Sequence, residues 1–455
     1  MLIYMREWLS RADRRPSLVS GSSAVAGLER PAKEGLKRME LEKYSLGIGD
    51  RFGFECAAQL RALQLAASTE GIRIAPVWNK SNREHNIAGT VPEAARRAAD
   101  EGVRACRWTD PYYVDADHIG LVTVDAFLPT HDYFTIDVAD YIGKPPGEEP
   151  TATFLAAMAG LEGSLEIPDL QAPVQITDLT LTDFARKYLC AIAEAGNIYR
   201  HIEGKKGTQF VTEVSVDEAQ NPQTSVELLL ILASLAREGI PVQAVAPKFA
   251  GAFLKGCDYV GDRQQFARDF RDYLAVIRFA VHNFNLPRNL KLSIHTGSDK
   301  FSLYPIMHRA IKSMDSGIHL KTAGTTWLEE LAGIAASGGA GLAFAREIYR
   351  ESYRRCEELC KPYLAVISID RQRLPSSAEA ASWSSEEFVR ALRHDESCRS
   401  YNPHLRQLLH VGFTVAAEMR TRFTEMLLEY RDAIEENVTQ NLYERHIRPL
   451  FLGSD

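Results

Sequence analysis

The sequence predicts the α/β fold class, specifically a (β/α)8 TIM-type barrel followed by a C-terminal helical cap. Three observations carry that expectation. Eight short runs rich in β-branched residues alternate with longer helical patterns. The length, 455 residues, accommodates one large α/β domain with additions. Polar side chains also recur where the runs end, the rim at which such barrels carry their active sites.

The runs, in order, are Ser45–Ile48, Ile74–Trp78, Ile119–Asp125, Thr135–Val138, Phe210–Val216, Val242–Val245, Lys291–His295 and Ile318–Lys321. A ninth, Leu364–Ile369, competes to be the last strand. Helical spacing marks Ser225–Arg237, with Val226, Leu229, Leu230 and Leu235 on one arc, and also Gln265–Phe284 and Trp327–Ala336. Further on, Ser385–Leu392 and Asn402–Tyr443 are strongly helical, and Arg406–Ile434 reads as one long helix. The expected division is a poorly patterned extension over residues 1–40, a barrel over 41–372 and a helical region over 373–455.

Composition narrows the function classes. Apolar residues make up 45% and charged residues 25%, which excludes a disordered, collagen-like or coiled-coil chain. With 53 Lys+Arg against 60 Asp+Glu the net charge is −7, so electrostatics favour neither nucleic acid nor an anionic membrane as partner. No apolar stretch reaches membrane-span length, and a cytoplasmic protein is expected. The seven cysteines are odd in number and form no CxxC pair. Cys356 and Cys360 share a helix face, and reduced packing cysteines are expected rather than a zinc knuckle. A homo-oligomer is left open.

The chemistry is read from the run ends. Asp125, Asp137, Glu213, Lys248, His295, His319 and Lys321 all fall there, and burying so many polar groups without a shared purpose would be expensive. Glu213 with His295 and His319 makes a sound set for a divalent metal (zinc, manganese, nickel or cobalt), with Asp137 as fourth ligand. The competing reading is that each histidine caps its strand. The loop His295–Ser302 offers Ser298 and Lys300 to a carboxylate or phosphate, or else Ser298 or Asp299 caps the next helix. Lys321 suits oxyanion stabilisation or, less readily, a Schiff base. GIGDRFG, Gly47 to Gly53, imitates a dinucleotide fingerprint, but its spacing is GxGxxxG and no acidic residue closes the second strand. It reads instead as a rim loop presenting Asp50 and Arg51. Trp78 and Lys80 would line a sugar site or a solvated loop, and His410 is either core or a visitor from the cap.

Six long stretches carry a resemblance: SLGIGDRFG, TEVSVDEAQNPQT, APKFAGAFLKGCDYVGD, LSIHTGSDKFSLYP, HLKTAGTTWLEEL and YNPHLRQLLHVGFTVAAEM. Through them the chain resembles the tagaturonate epimerase family, or hexuronate C4-epimerases, from about Lys43 to about Phe451. The resemblance implies interconversion of D-tagaturonate and D-fructuronate, small sugar acids, with a divalent metal. The inverted carbinol lies β to the ketone, so enolisation alone cannot epimerise it, whereas a retro-aldol route can. On the reading of the residues themselves, Asp125 and Glu218 exchange protons on opposite faces, Ser298 and Lys300 hold the substrate carboxylate, and Asp50, Lys80 and Lys248 add substrate contacts. A metal-dependent sugar aldolase, a ketose isomerase or 3-epimerase, and a non-enzymatic sugar-binding protein are the alternatives.

Overall fold

The computed structural model describes residues 38–322 and 325–453. The extension expected over residues 1–40 therefore lies almost entirely outside the described residues. Ten strands are present: β1 (Tyr44–Ile48), β2 (Ala75–Ser81), β3 (Tyr113–Ile119), β4 (Tyr133–Asp137), β5 (Gly163–Leu165), β6 (Val174–Ile176), β7 (Val211–Ser215), β8 (Ala244–Ala246), β9 (Lys291–His295) and β10 (Ile318–Lys321). β5 and β6 form a separate antiparallel ribbon between β4 and β7. The other eight close a barrel in which every neighbouring pair is parallel.

Seven of the eight expected runs coincide with barrel strands. The third does not. Ile119–Asp125 was expected to be a strand, yet the strand is Tyr113–Ile119 and the chain then curls, with Gly120 O accepting from both Thr123 N and Val124 N. The β-branched run misleads because Val122 in it is 99% exposed. The true strand hides because, beyond Tyr113, the side chains it sends into the barrel are Asp115 and Asp117, not apolar ones. The ninth run, Leu364–Ile369, is not a strand. It is a strap over the barrel, held by Lys255 N donating to Val366 O (2.8 Å) and by Gln407, which pairs with both Ser368 N (2.8 Å) and Ser368 O (3.1 Å).

Local chemistry sets the helices. Ser225–Arg237 forms as expected, opened by a capping box in which Thr224 and Glu227 satisfy each other's backbone N–H groups. Residues Leu228–Leu235 are all buried between barrel and neighbouring helices. The helix Arg263–Asn283 is capped by Asp262, and Thr325–Ala336 packs its apolar surface into the cap. The single long helix expected over Arg406–Ile434 is instead a chain of short ones: Pro403–Val411, Phe413–Glu418, Thr421–Glu429 and Arg431–Gln440. One break falls at Gly412, where a Cβ would lie 2.7 Å from Ser352 Oγ, and another at Arg420, whose φ is +38°. Cys356 and Cys360 do share a face, with their thiols 4.0 Å apart, and all seven cysteines are free. No helix among the described residues is long and apolar enough to cross a membrane.

Two large apolar cores result, one around the barrel and one within the helices after residue 325. A small third cluster of Leu41, Ala75, Val77, Tyr113, Tyr133 and Val211 plugs the N-terminal end of the barrel. The cap is fastened by charge. Asp299, on the loop after β9, is fully buried and takes Arg406 Nη2 at 2.6 Å, Thr325 Oγ1 at 2.5 Å and His394 Nδ1 at 3.2 Å. Burial alone would raise its pKa, but Arg406, His394 and His446 hold the carboxyl well below its ordinary range. Removing one member of such a pair strands the other charge. Arg406→Met is therefore expected to cost about 3–5 kcal/mol, read as a lowered urea midpoint. An unchanged midpoint would dismiss the fastening role.

Candidate active site

The barrel's C-terminal mouth is built around a column of buried charge. Lys321 Nζ, at the end of β10, lies 2.8 Å from Asp115 Oδ2, 2.8 Å from Asp117 Oδ1, 2.5 Å from Thr135 Oγ1 and 3.7 Å from Glu213 Oε1. Burial alone would neutralise the ammonium, but the three carboxylates raise its pKa instead. Asp115 is pushed up to about 7 by burial, with Lys321 pulling it back. Glu213 is fully buried and saturated: Oε1 receives Ser293 Oγ (3.0 Å) and faces His295 Nε2 (2.5 Å), while Oε2 accepts from Tyr133 Oη. Burial opposes its charge, yet Lys321 and His295 hold its carboxyl well below the usual range.

One layer nearer the solvent, three side chains converge. His118, Asp217 and His295 each place a donor atom within 4.8 Å of the others, and His118, Asp137 and Glu218 form a second such group. His295 uses both nitrogens: Nδ1 is 3.0 Å from Asp217 Oδ2, and Nε2 faces Glu213. His118 Nδ1 is 3.3 Å from Asp137 Oδ2. Burial works against protonation of both rings, but the surrounding carboxylates win and raise His118 to about 10 and His295 to about 9. The pocket is thus strongly electronegative. His118 gets there through its backbone: it has φ +51° at a bulge where the β3–β4 register shifts between Ala116 and Ile119. Bulges of this kind re-aim side chains at barrel rims.

The donor set fits a divalent cation. Two imidazoles and a carboxylate converge, and each histidine has a second carboxylate behind it, Glu213 for His295 and Asp137 for His118. Of the four ligands expected from the sequence, His295 joins the converging trio and Asp137 the adjacent group. Glu213 and His319 lie deeper. His319 is fully buried, bonded through Nδ1 to Ser45 Oγ (2.9 Å), 3.9 Å from Glu213 Oε2 through Nε2, and pushed down to about 3 by burial. It is a neutral wall of the barrel.

Other expected residues sit elsewhere. Asp125 is a correction: it occupies the turn Val124–Ala126, its side chain is 70% exposed, and it pairs with His201 (2.6 Å). Glu218 does reach the mouth, and burial raises its pKa. Asp50 spends its carboxylate on the backbone N–H groups of Gly53 (2.6 Å), Phe54 (3.3 Å) and Glu55 (2.7 Å). Lys80 Nζ donates to Arg51 O (2.6 Å) and Thr90 Oγ1 (2.8 Å), and Lys248 Nζ to Ala219 O (2.6 Å). Lys300 is fully buried and committed to Leu254 O, Ser298 O, Asp299 O and Ser298 Oγ, while Ser298 Oγ also accepts from Gly256 N. Neither Ser298 nor Asp299 caps the next helix, which begins at Tyr304. Trp78 is buried, with Nε1 on Gln59 Oε1 (2.7 Å), so it is no stacking plane. Sequence reasoning missed His118, Asp115 and Asp117. The signal was present as the alternation in YVDADHI.

The first glycine of GIGDRFG also finds its reason here. A Cβ at Gly47 would lie 2.7 Å from Lys321 Cγ and 3.2 Å from His319 Nε2. The barrel interior has no room for one. Gly47→Ala should destabilise the protein by about 1–3 kcal/mol, the usual cost of overpacking, in chemical denaturation. A neutral effect would mean the column can yield.

Comparison with known proteins agrees with this architecture. Residues 35–450 match the sequence model of the tagaturonate epimerases. A tagaturonate/fructuronate epimerase of Thermotoga maritima is 28% identical over 437 residues, covering 92% of this chain and 82% of that protein. A crystal structure of a fructuronate-tagaturonate epimerase from Cohnella laeviribosi is similar with a TM-score of 0.75 at 23% identity, covering 91% of this chain and 82% of that one. A complex of that protein with glycerol gives 0.76. The structural likeness is one of fold.

Proposed function

The chain belongs to the tagaturonate epimerase family, and from that premise we propose that it is an isomerase interconverting D-tagaturonate and D-fructuronate at the mouth of its barrel. The observation that carries the reading is the convergence of His118, Asp217 and His295 at that mouth, in a chain that matches the family from residue 35 to 450.

His118, His295 and Asp217 are the residues that would hold a divalent ion, with Glu213 orienting His295 from behind. Bound there, the ion would supply Lewis-acid stabilisation of charge on the substrate's ketone oxygen. The chain's own residues handle the protons. Glu218, whose carboxyl burial raises, takes the proton from the hydroxyl of the carbon to be inverted. The bond to the adjacent carbon opens, its electron pair passes into an enolate, and an aldehyde remains. The aldehyde turns, the bond re-forms on its other face, and the new alkoxide recovers a proton. The Asp117–Lys321 pair lines the inner wall and serves the second face, taking the place expected for Asp125. Proton exchange with solvent then resets Glu218 and the Asp117–Lys321 pair, and the substrate gains and loses no atom, as an epimerisation requires.

Purified protein incubated with D-tagaturonate, with and without Mn, Ni or Zn, should form D-fructuronate, and absence of turnover under all conditions would reject the reading. Elemental analysis should find metal lost from His118→Ala and His295→Ala but retained by His319→Ala. Stoichiometric metal in the first two variants would reject this ligand set, and its loss from the third would restore the deeper one. Under single-turnover conditions, trapping should capture a three-carbon aldehyde acid. If none forms while epimerisation proceeds, the carbon–carbon cleavage is excluded.

A further inference from the structure

Beside the donor cluster, two cations share one aromatic ring, and among the described residues no carboxylate makes an ion pair with either. The Tyr363 ring, in the turn Lys361–Tyr363 that leads into the strap, has Lys255 Nζ 5.2 Å and the Arg83 guanidinium 5.0 Å from its centroid. Among the described residues neither cationic head has an ion pair or a hydrogen bond, so both keep their donors free. Arg83 is exposed and Lys255 half-buried, so the ring holds the two heads in place while their donors stay available to a ligand or to water.

The surroundings deepen the imbalance. The charged groups acting on Lys255 are Arg51, Arg83 and Lys300, of like sign, and Glu84. Glu84 is already spent: it pairs with Arg51 Nε at 3.1 Å and closes the capping box with Ser81. Behind this wall lies His410, 1% exposed, with neither ring nitrogen hydrogen-bonded and with Arg51 and Lys255 among the charges that keep it neutral. The patch has net positive charge in a protein whose overall charge is −7.

The patch also adjoins the reaction site on two sides. A Cβ at Gly297, two residues beyond His295, would be 3.9 Å from Lys255 Nζ, so the ammonium lies against the loop that follows β9. Arg83 is close enough to Glu218 to favour its ionised form. The cations therefore border the donor group, with the ring of Tyr363 as their backing.

We propose that Lys255 and Arg83, backed by Tyr363, bind the carboxylate of the substrate. The inference rests on the hexuronate reading above and replaces Ser298 and Lys300, whose polar atoms are consumed by the protein. Two cations with free donors suit a planar two-oxygen anion. The position also has a use in the reaction. When the carbon–carbon bond opens, the aldehyde carbon stays on the fragment that carries the carboxylate. Held by that carboxylate, the aldehyde can turn about its own bonds without leaving.

The test compares D-tagaturonate with D-tagatose, the ketose that has a hydroxymethyl group in place of the carboxylate. Lys255→Met and Arg83→Met should each raise KM for the uronate at least about tenfold more than KM for the neutral ketose, the loss expected of one charge-assisted hydrogen bond. Thermal stabilisation by the uronate should fall in parallel. Lys255→Gln, which keeps a polar donor on a side chain one atom shorter, should fold like the parent by circular dichroism and show the same split. Variants that keep the uronate KM, or lose both substrates equally while folded, overturn the anchor. Absence of uronate turnover in the parent protein would instead overturn the functional reading, while binding in the thermal assay would still report on the anchor.

Discussion

A lysine ammonium shut away from water sits inside this barrel, and the polar groups around it are arranged to make that tolerable. Isolated, Lys321 would cost several kcal/mol to bury, and so would each of Asp115, Asp117 and Glu213. Together they share protons and charge across strands far apart in the chain, Asp117 and Lys321 being 204 residues apart. This replaces the apolar layers that usually fill such barrels. It also fixes side chains in place: Thr135 is held against Asp115 and Lys321, and Glu213 takes Ser293, Tyr133 and His295 in one orientation. The mouth chemistry stands on this base, because His295 is aimed by a carboxylate that cannot move.

The layers above differ in what they leave unsatisfied. Inside the barrel nearly every donor meets an acceptor. At the mouth, carboxylates outnumber cations around His118 and His295, which makes a place for positive charge. At Tyr363 the balance reverses, and the two cations have no carboxylate in ion-pair contact. The proposed sugar-acid substrate, chelated at one end and anionic at the other, would match both deficits at once. A net charge of −7 is no obstacle to such a substrate when the positive potential is local and close.

Much of the scaffold was legible because its signals are local. Alternating runs and helical spacing located seven of eight barrel strands, and the arc of Val226, Leu229, Leu230 and Leu235 marked the helix Ser225–Arg237. Part of the rim was legible too, since His295, Asp137 and Glu218 do lie at the mouth. What escaped was non-local. A strand whose inward face is Asp115 and Asp117 looks exposed until Lys321 is folded against it. His118 owes its aim to a left-handed backbone at a bulge, which no spacing rule reports. Lys300 and Asp50 have side chains apt for ligand binding, but only the folded backbone reveals that their hydrogen bonds are already taken.

The Asp299 knot has a consequence for how the molecule comes into being. The carboxylate belongs to the loop that leaves β9, while its guanidinium partner arrives 107 residues later. A ribosome-bound chain that has finished all eight barrel strands carries this carboxylate, four residues from His295, before the groups that bury and neutralise it have been made. The loop after β9 therefore reaches its final environment only when the C-terminal helices dock on it, so the mouth of the barrel and the cap are completed by the same event.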